Sequence, residues 1–410
     1  MDAYERSLAA MREFRIMTPV ILNSAYIQQM NPRLIASSVL AFSLSLNFSF
    51  AQSAGIAPTG NLQQPEVLHA GHDISFGLPA LNKRDLIKPE NGVDYKPFDP
   101  KKWEEKGIST EMTAWNGENI AFLTLDDTID PELITRLVRF MDQGWEKYAE
   151  IIPRKPRIFK NHKGLPAIAA VPEGVTCGAG CGYVGSTGIE LALFYQRDLD
   201  ILKKHPDSCP HYIFYEMGRN FYVYGDRHSY FATGFAVFMR YVCMDAVGCK
   251  DVELKFREIL EGHEANIKNA EQLSFLEIFT NQGDKARSQH ARKLGLSDSQ
   301  NSNYASVMLH LRKQYGGDEW VKKFYTVLDT AGSYPVGAED SPYLQSLSWL
   351  VTASIAAGED LTPLFVERYR FPMPEEDRAK MAKVNWKKKK LRVDKIVSGL
   401  GTKPLEEVAE

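Results

Sequence analysis

Cys209-Pro210-His211-Tyr212-Ile213-Phe214-Tyr215-Glu216-Met217-Gly218-Arg219-Asn220-Phe221 decides how the rest of the chain is read. Proline suits a first helical turn, where its missing N–H would have no intrahelical partner anyway. Pro210 therefore opens a helix, with Ser208 or Cys209 at the cap. Phe214, Met217 and Phe221 recur at helical spacing and predict the face turned to a core. His211, Tyr215 and Arg219 recur at steps of four and share a different face, with Glu216 beside it.

The elements around this helix predict an α+β chain. Asn119–Leu125 has the pattern of a buried strand. Asp130-Pro131-Glu132 is a helix start, and Leu133, Leu137, Met141, Trp145 and Tyr148 carry that helix to about Ile152. Leu165–Val171 is the next strand. Tyr183-Val184 and Gly188–Phe194, flanking a short turn, read as further strands, the first of them inside a Gly-rich segment from Thr176 to Ser186. That segment is no phosphate loop, because no Gly-Lys-Ser/Thr follows it. Beyond the quoted helix, Tyr230–Val242 is a second and very apolar helix. The pattern is mainly helical from Asp251 onward: 251–270, 302–315 paired with 318–328, 342–357, and a start at Thr362-Pro363.

The chain has 410 residues, 44% hydrophobic and 25% charged, which is ordinary globular composition. A net charge of −3 creates no field that would gather nucleic acid. No nucleic-acid module is present, and no such partner is expected. Leu34–Phe50 is uncharged, apolar and serine-rich, behind a basic start at Met30-Asn31-Pro32-Arg33. With small residues at Ser49 and Ala51, it reads as a signal peptide over 30–51. The expected organisation is a non-native extension 1–29, the signal 30–51, an extended lead-in 52–102, a sheet-bearing subdomain 103–245, a helical subdomain 246–375 and a basic, solvated tail 376–410. A secreted, periplasmic or cell-envelope location follows, with no membrane span after cleavage. Export permits disulfides. Of the five cysteines, Cys177/Cys181 and Cys243/Cys249 are the local pairs. The His69/His72 pair reads as a polar loop. No motif encodes an oligomeric state.

Three segments together resemble the gluzincin branch of the zinc metallopeptidases, near the enhancin-like mucin-active peptidases and the plant basic secretory proteins. They are the frame Tyr215-Glu216-Met217-Gly218-Arg219, the helix Tyr230–Val237, and Trp349–Pro372. The likeness spans roughly Asn119 to Met373. It implies a zincin-like mixed sheet over an active-site-type helix, with a helical C-terminal subdomain. In the family's H-E-x-x-H frame two histidines and a later glutamate hold zinc, and the Glu of the motif is the general base. Carried over, the ligand positions are Tyr215, Arg219 and Thr233, and only the base position, Glu216, matches. A guanidinium stays cationic and repels a divalent metal at short range. It forms a charge-assisted pair with a carboxylate instead, here Glu216 or Glu190.

The leading expectation is a protein without metal or cofactor that has lost peptidase activity. It would bind an extended peptide or glycan in the former cleft, with Tyr215, Arg219, Thr233, His211 and Glu190 as binding residues beside Glu216. A second reading is an active zinc hydrolase with its site relocated to His211, Glu216, Asp226 and His228. A third is a cell-surface scaffold in which Tyr215, Glu216 and Arg219 form a buried network. N-terminal sequencing of the native protein is expected to find a mature end near Gln52; an intact Met1 would remove the export reading.

Overall fold

The computed structural model describes residues 81–400, apart from 253, 281–289, 298 and 335–340. The expected extension 1–29, the signal 30–51 and the His69/His72 pair lie outside the described residues. Within them the chain is α+β, a mixed sheet followed by a helical C-terminal region.

The sheet starts earlier than the patterning predicts. Strand β1 (Pro89–Asp94) precedes helix α1 (Pro100–Glu105) and pairs antiparallel with β2 (Glu111–Asn116). The second half of the expected lead-in is therefore ordered. An edge strand needs little apolar patterning, and β1, half of whose neighbours are solvent, shows none. Strand β3 (Ala121–Thr124) pairs antiparallel with β2. Helix α2 (Pro131–Ile151) follows, with Asp130 accepting from the Glu132 N–H and Pro131 in the first turn, as expected. After the short β4 (Asn161–His162), β5 (Leu165–Ala170) lies parallel to β3. Strand β6 (Gly180–Gly182) forms the outer edge, antiparallel to β7 (Ile189–Leu191), which is itself parallel to β5. The order across the sheet is β1-β2-β3-β5-β7-β6.

The central strands β2, β3, β5 and β7 are buried on both faces. Trp115, Phe122, Ile168, Ile189 and Leu191 belong to the main core with α2 and the helices that follow. Ala114, Leu123, Ala169 and Ala192 belong to a smaller core with Tyr95 and Trp103.

The rest of the described chain comprises α3 (Leu199–Lys204), β8 (Ser208–Cys209), α4 (His211–Phe221), α5 (Ala232–Val247), β9 (Lys250–Asp251), α6 (Leu254–Ile267), α7 (Phe275–Phe279), α8 (Gln300–Gln314), α9 (Asp318–Leu328), α10 (Ser341–Ala357), α11 (Glu375–Met381) and α12 (Val393–Ser398). Pro210 is the cap of α4 rather than its first residue, because Ser208 and Cys209 are held in a two-residue parallel pairing with β9. The main core runs without a break from the sheet through α4, α5, α8 and α10. Buried Glu264 on α6 ties the C-terminal region together: it accepts from Arg368 Nη2 at 2.7 Å and from the Tyr369 hydroxyl at 2.9 Å. Arg370 donates to the carbonyl of Ile267, the last residue of α6, and to those of Ala270 and Leu273 in the turns that follow. No helix among the described residues is long and apolar enough to cross a membrane.

Two further expectations are corrected. The segment 376–400 is folded, because Met381, Trp386, Val393, Val397 and Leu400 bury themselves in the main core between the lysines. Only the run Lys387–Lys390 within it is uniformly exposed. Of the expected cysteine pairs, Cys177–Cys181 is a disulfide, and Cys243 and Cys249 are both free. Gly248 ends α5 in the left-handed conformation, at φ 72°, and sends Cys249 off the helix. Cys243 stays in the core, its thiol donating to the Gly144 carbonyl of α2 at 3.7 Å.

Helices α2, α4 and α5 meet at Gly218. A Cβ there would stand 2.8 Å from the Tyr148 hydroxyl and 2.9 Å from the Ala236 Cα. Gly218→Ala is expected to destabilise the protein by about 1–3 kcal/mol through overpacking, despite the better helix propensity of alanine. Chemical denaturation measures it; an unchanged or raised midpoint would contradict the close approach.

Candidate functional site

Helix α4 turns Phe214, Met217 and Phe221 into the core, all with no exposed surface. That orientation fixes where its polar residues go. Tyr215 and Arg219 fall on the seam with α5, and both are half-buried. Arg219 Nη1 donates to Thr233 Oγ1 at 3.3 Å, and the Tyr215 and Thr233 hydroxyls are hydrogen-bonded. The three positions that the resemblance assigns to metal ligands thus come together, as expected.

Glu216 lies under the edge of the sheet. It is 3% exposed, and the Gly182 N–H reaches its carboxyl. A Cβ on Gly180 would sit 3.1 Å from the Glu216 Cγ, and one on Gly182 would sit 2.6 Å from the Glu216 carbonyl. Only glycine lets β6 and α4 come this close. Burial pushes the Glu216 carboxyl up to about 7, against the opposing pull of the Arg219 charge and the Gly182 N–H. Its Oε2 has no hydrogen-bond partner among the described residues. The turn after β6 is fastened to the end of α4. Asn220 Nδ2 donates to the Tyr183 carbonyl at 2.9 Å and to the Gly188 carbonyl at 3.2 Å, and the Gly185 N–H donates to the Arg219 carbonyl at 3.0 Å.

Glu190 is not part of this cluster. Ile189 and Leu191 face the main core, so strand alternation turns Glu190 to the opposite side of the sheet. There its Oε1 accepts from the Tyr95 hydroxyl at 3.0 Å and the Phe98 N–H at 2.8 Å, and burial raises its pKa. The expected Arg219–Glu190 pair is ruled out by that geometry. Strand β6 lies closest against α4, and the start of the Gly188–Phe194 run is fastened to the same helix by Asn220.

His211 is also engaged elsewhere. Its Nδ1 accepts from Arg240 Nη1 at 3.0 Å, and its ring stacks on Phe256. Arg240 is 4% exposed, with its guanidinium 4.5 Å over the Phe256 ring and 4.9 Å over Tyr241, and with Nε and Nη2 unpartnered. The pairs His211–Arg240 and Arg219–Thr233 show α4 and α5 running antiparallel. The relocated metal site is not assembled. His228 is buried against the Tyr304 hydroxyl at 2.9 Å, and burial pushes its pKa down to about 3. No group of three or more His, Cys, Asp or Glu among the described residues is placed to hold a metal. Nor do Tyr215, Arg219 and Thr233 suit zinc, since a guanidinium offers only donors and a fixed positive charge.

Two features escaped the sequence reading. One is Arg240, signalled only by being the single charge within the apolar run 230–242. The other is an exposed apolar patch of Ile158, Phe159 and Val184, at 69%, 50% and 49% exposure. Phe159 packs edge-on against Tyr183, which lies beside Phe98, and the Lys160 ammonium sits over the Phe98 and Phe159 rings. The backbone link from Gly185 to Arg219 places Val184 beside the end of α4.

The Glu216 carboxyl titrates higher in the folded chain than its ordinary value of 4.5. Folding therefore favours the protonated acid, whose contribution is complete below the ordinary value and lost as pH rises through about 7. Glu216→Gln is expected to gain stability relative to the parent between about pH 4 and 8, by on the order of 3 kcal/mol. Urea denaturation across that range tests it; a stability difference independent of pH would show that the carboxyl is not held protonated.

No family model matches the chain, and a search of curated proteins finds no match. Two solved structures are similar in outline. One is a functionally unknown conserved protein from Bacillus anthracis str. Ames, at 13% identity and a TM-score of 0.42. The other is a mutant of a functionally unknown conserved protein from the same organism, at 14% and 0.44. Each similarity covers 69% of this chain and 53% of the other, so the chain spans about half the length of these structures.

Proposed function

We propose that this chain is an exported binding protein on a zincin-like frame, in which Arg219 stands where the frame would carry a metal ligand. It takes an extended peptide with an acidic group, without hydrolysing it. The observation that carries this reading is the state of Arg219. The guanidinium is half-buried, bonds Thr233, and forms no ion pair among the described residues. The neighbouring carboxyl, Glu216, titrates at about 7, so near neutrality it is only half ionised and compensates that cation in part. A ligand carboxylate would complete the site through charge-assisted hydrogen bonds. The patch of Ile158, Phe159 and Val184 beyond the end of α4 would take the apolar side chains of the same extended ligand.

Catalysis by Glu216 alone does not fit the geometry. A water would need a base in contact with it, and this carboxyl is buried and shielded by β6.

Binding to arrayed extended peptides, acidic against neutral, tests the proposal, with a sulfated glycan as a parallel probe. Acidic peptides are expected to bind, and Arg219→Ala to weaken them roughly 10–100-fold, as for a lost hydrogen bond to a charged group. The unfolding midpoint should change little. Loss of stability with no binding to lose would favour the scaffold reading. Selective capture of the glycan would change the ligand class, and stoichiometric zinc with peptide cleavage would overturn the proposal.

A further inference from the structure

We propose that Cys209 and Cys249 are a modification site, closed by a second disulfide when the protein meets a disulfide oxidant. The proposal is independent of the ligand assigned to Arg219. Its basis is the short parallel pairing of β8 with β9, in which Ser208 lies opposite Lys250 and Cys209 opposite Asp251. Cys249 stands two residues before Asp251, so pleat alternation turns Cys209 and Cys249 toward one side. Burial and, after it, the neighbouring Cys249 thiol push the Cys209 thiol up, so the two side chains act on each other directly. Both are free in this structure.

The two sulfurs differ in access. Cys209 has no exposed surface, whereas Cys249 is half-buried and lines a recess of about 210 Å³ bounded also by Tyr241, Asp251 and Arg257. Cys249 is therefore the sulfur an oxidant reaches first. With glutathione disulfide, the Cys249 thiolate attacks one sulfur, forming a mixed disulfide and releasing one glutathione, which takes a proton. Cys209 then loses its proton and attacks the Cys249 sulfur, releasing the second glutathione. Two protein thiols are oxidised to one disulfide, and one glutathione disulfide is reduced to two thiols.

The location gives the bond a consequence. Cys209 immediately precedes the cap of α4, and Cys249 follows the end of α5. A bond between them fastens the open ends of the antiparallel pair whose seam holds Arg219 and Thr233. Cys243 does not compete, since its thiol points to α2.

The test oxidises the folded full chain with glutathione disulfide, then denatures it for thiol titration and non-reducing peptide mapping. The free thiols are expected to fall from three to one, with a Cys209–Cys249 cross-linked peptide and Cys177–Cys181 unchanged. Cys249→Ser should keep its two remaining free thiols under the same treatment. Three titratable thiols in the oxidised parent, a lasting glutathione adduct on Cys249, or a cross-link through Cys243 would each overturn the proposal.

Discussion

The close approach of α4 to the edge of the sheet governs the rest of the site. Gly180 and Gly182 leave no side chains between β6 and the helix, and the Glu216 side chain occupies the space. A carboxyl so enclosed loses hydration, and its titration is pushed up to about 7, against the pull of the Gly182 N–H. The same contact sets the rotation of α4 about its axis. Once Glu216 is under β6, and Phe214, Met217 and Phe221 are in the core, Tyr215 and Arg219 can only face α5.

Along that seam the charge is one-sided. Arg219 reaches Thr233, and Arg240 reaches His211 and lies over two aromatic rings. Among the described residues neither guanidinium has a carboxylate partner. Arg240 is compensated in part by the ring faces, which attract a cation most strongly when it is desolvated. Arg219 has no such cushion and keeps partial contact with solvent, which is why the binding reading centres on it. Opposite Glu216, across the sheet, Glu190 meets a different need: it pins the segment carrying Tyr95 and Phe98 over the small core.

Strong local signals carried most of the fold. Asp130-Pro131 marked the start of α2, and the apolar periodicity of 342–357 marked α10, because caps and core faces are written in neighbouring residues. Strand β1 was hidden, since a solvent-facing edge places few demands on its side chains. The folded segment 376–400 was hidden by its lysines, although the apolar residues spaced between them are what it buries. Of the site, the helix frame was legible, and with it the meeting of Tyr215, Arg219 and Thr233. The wrong partners were those whose direction depended on a sheet face or a helix end: Glu190, His211, and Cys249, which Gly248 steers away from Cys243.

The amino-acid order alone determined that this chain is α+β and that a polar frame with a single carboxylate sits on a buried helix beside a second apolar one. Periodicity and capping suffice for that, because they act over three or four residues. Tertiary packing alone decided which of those polar groups meet, which carboxyl is dehydrated, and which cysteines face each other. Those outcomes depend on the distance and rotation between elements far apart in the chain, set here by two missing side chains on β6 and a left-handed turn at Gly248.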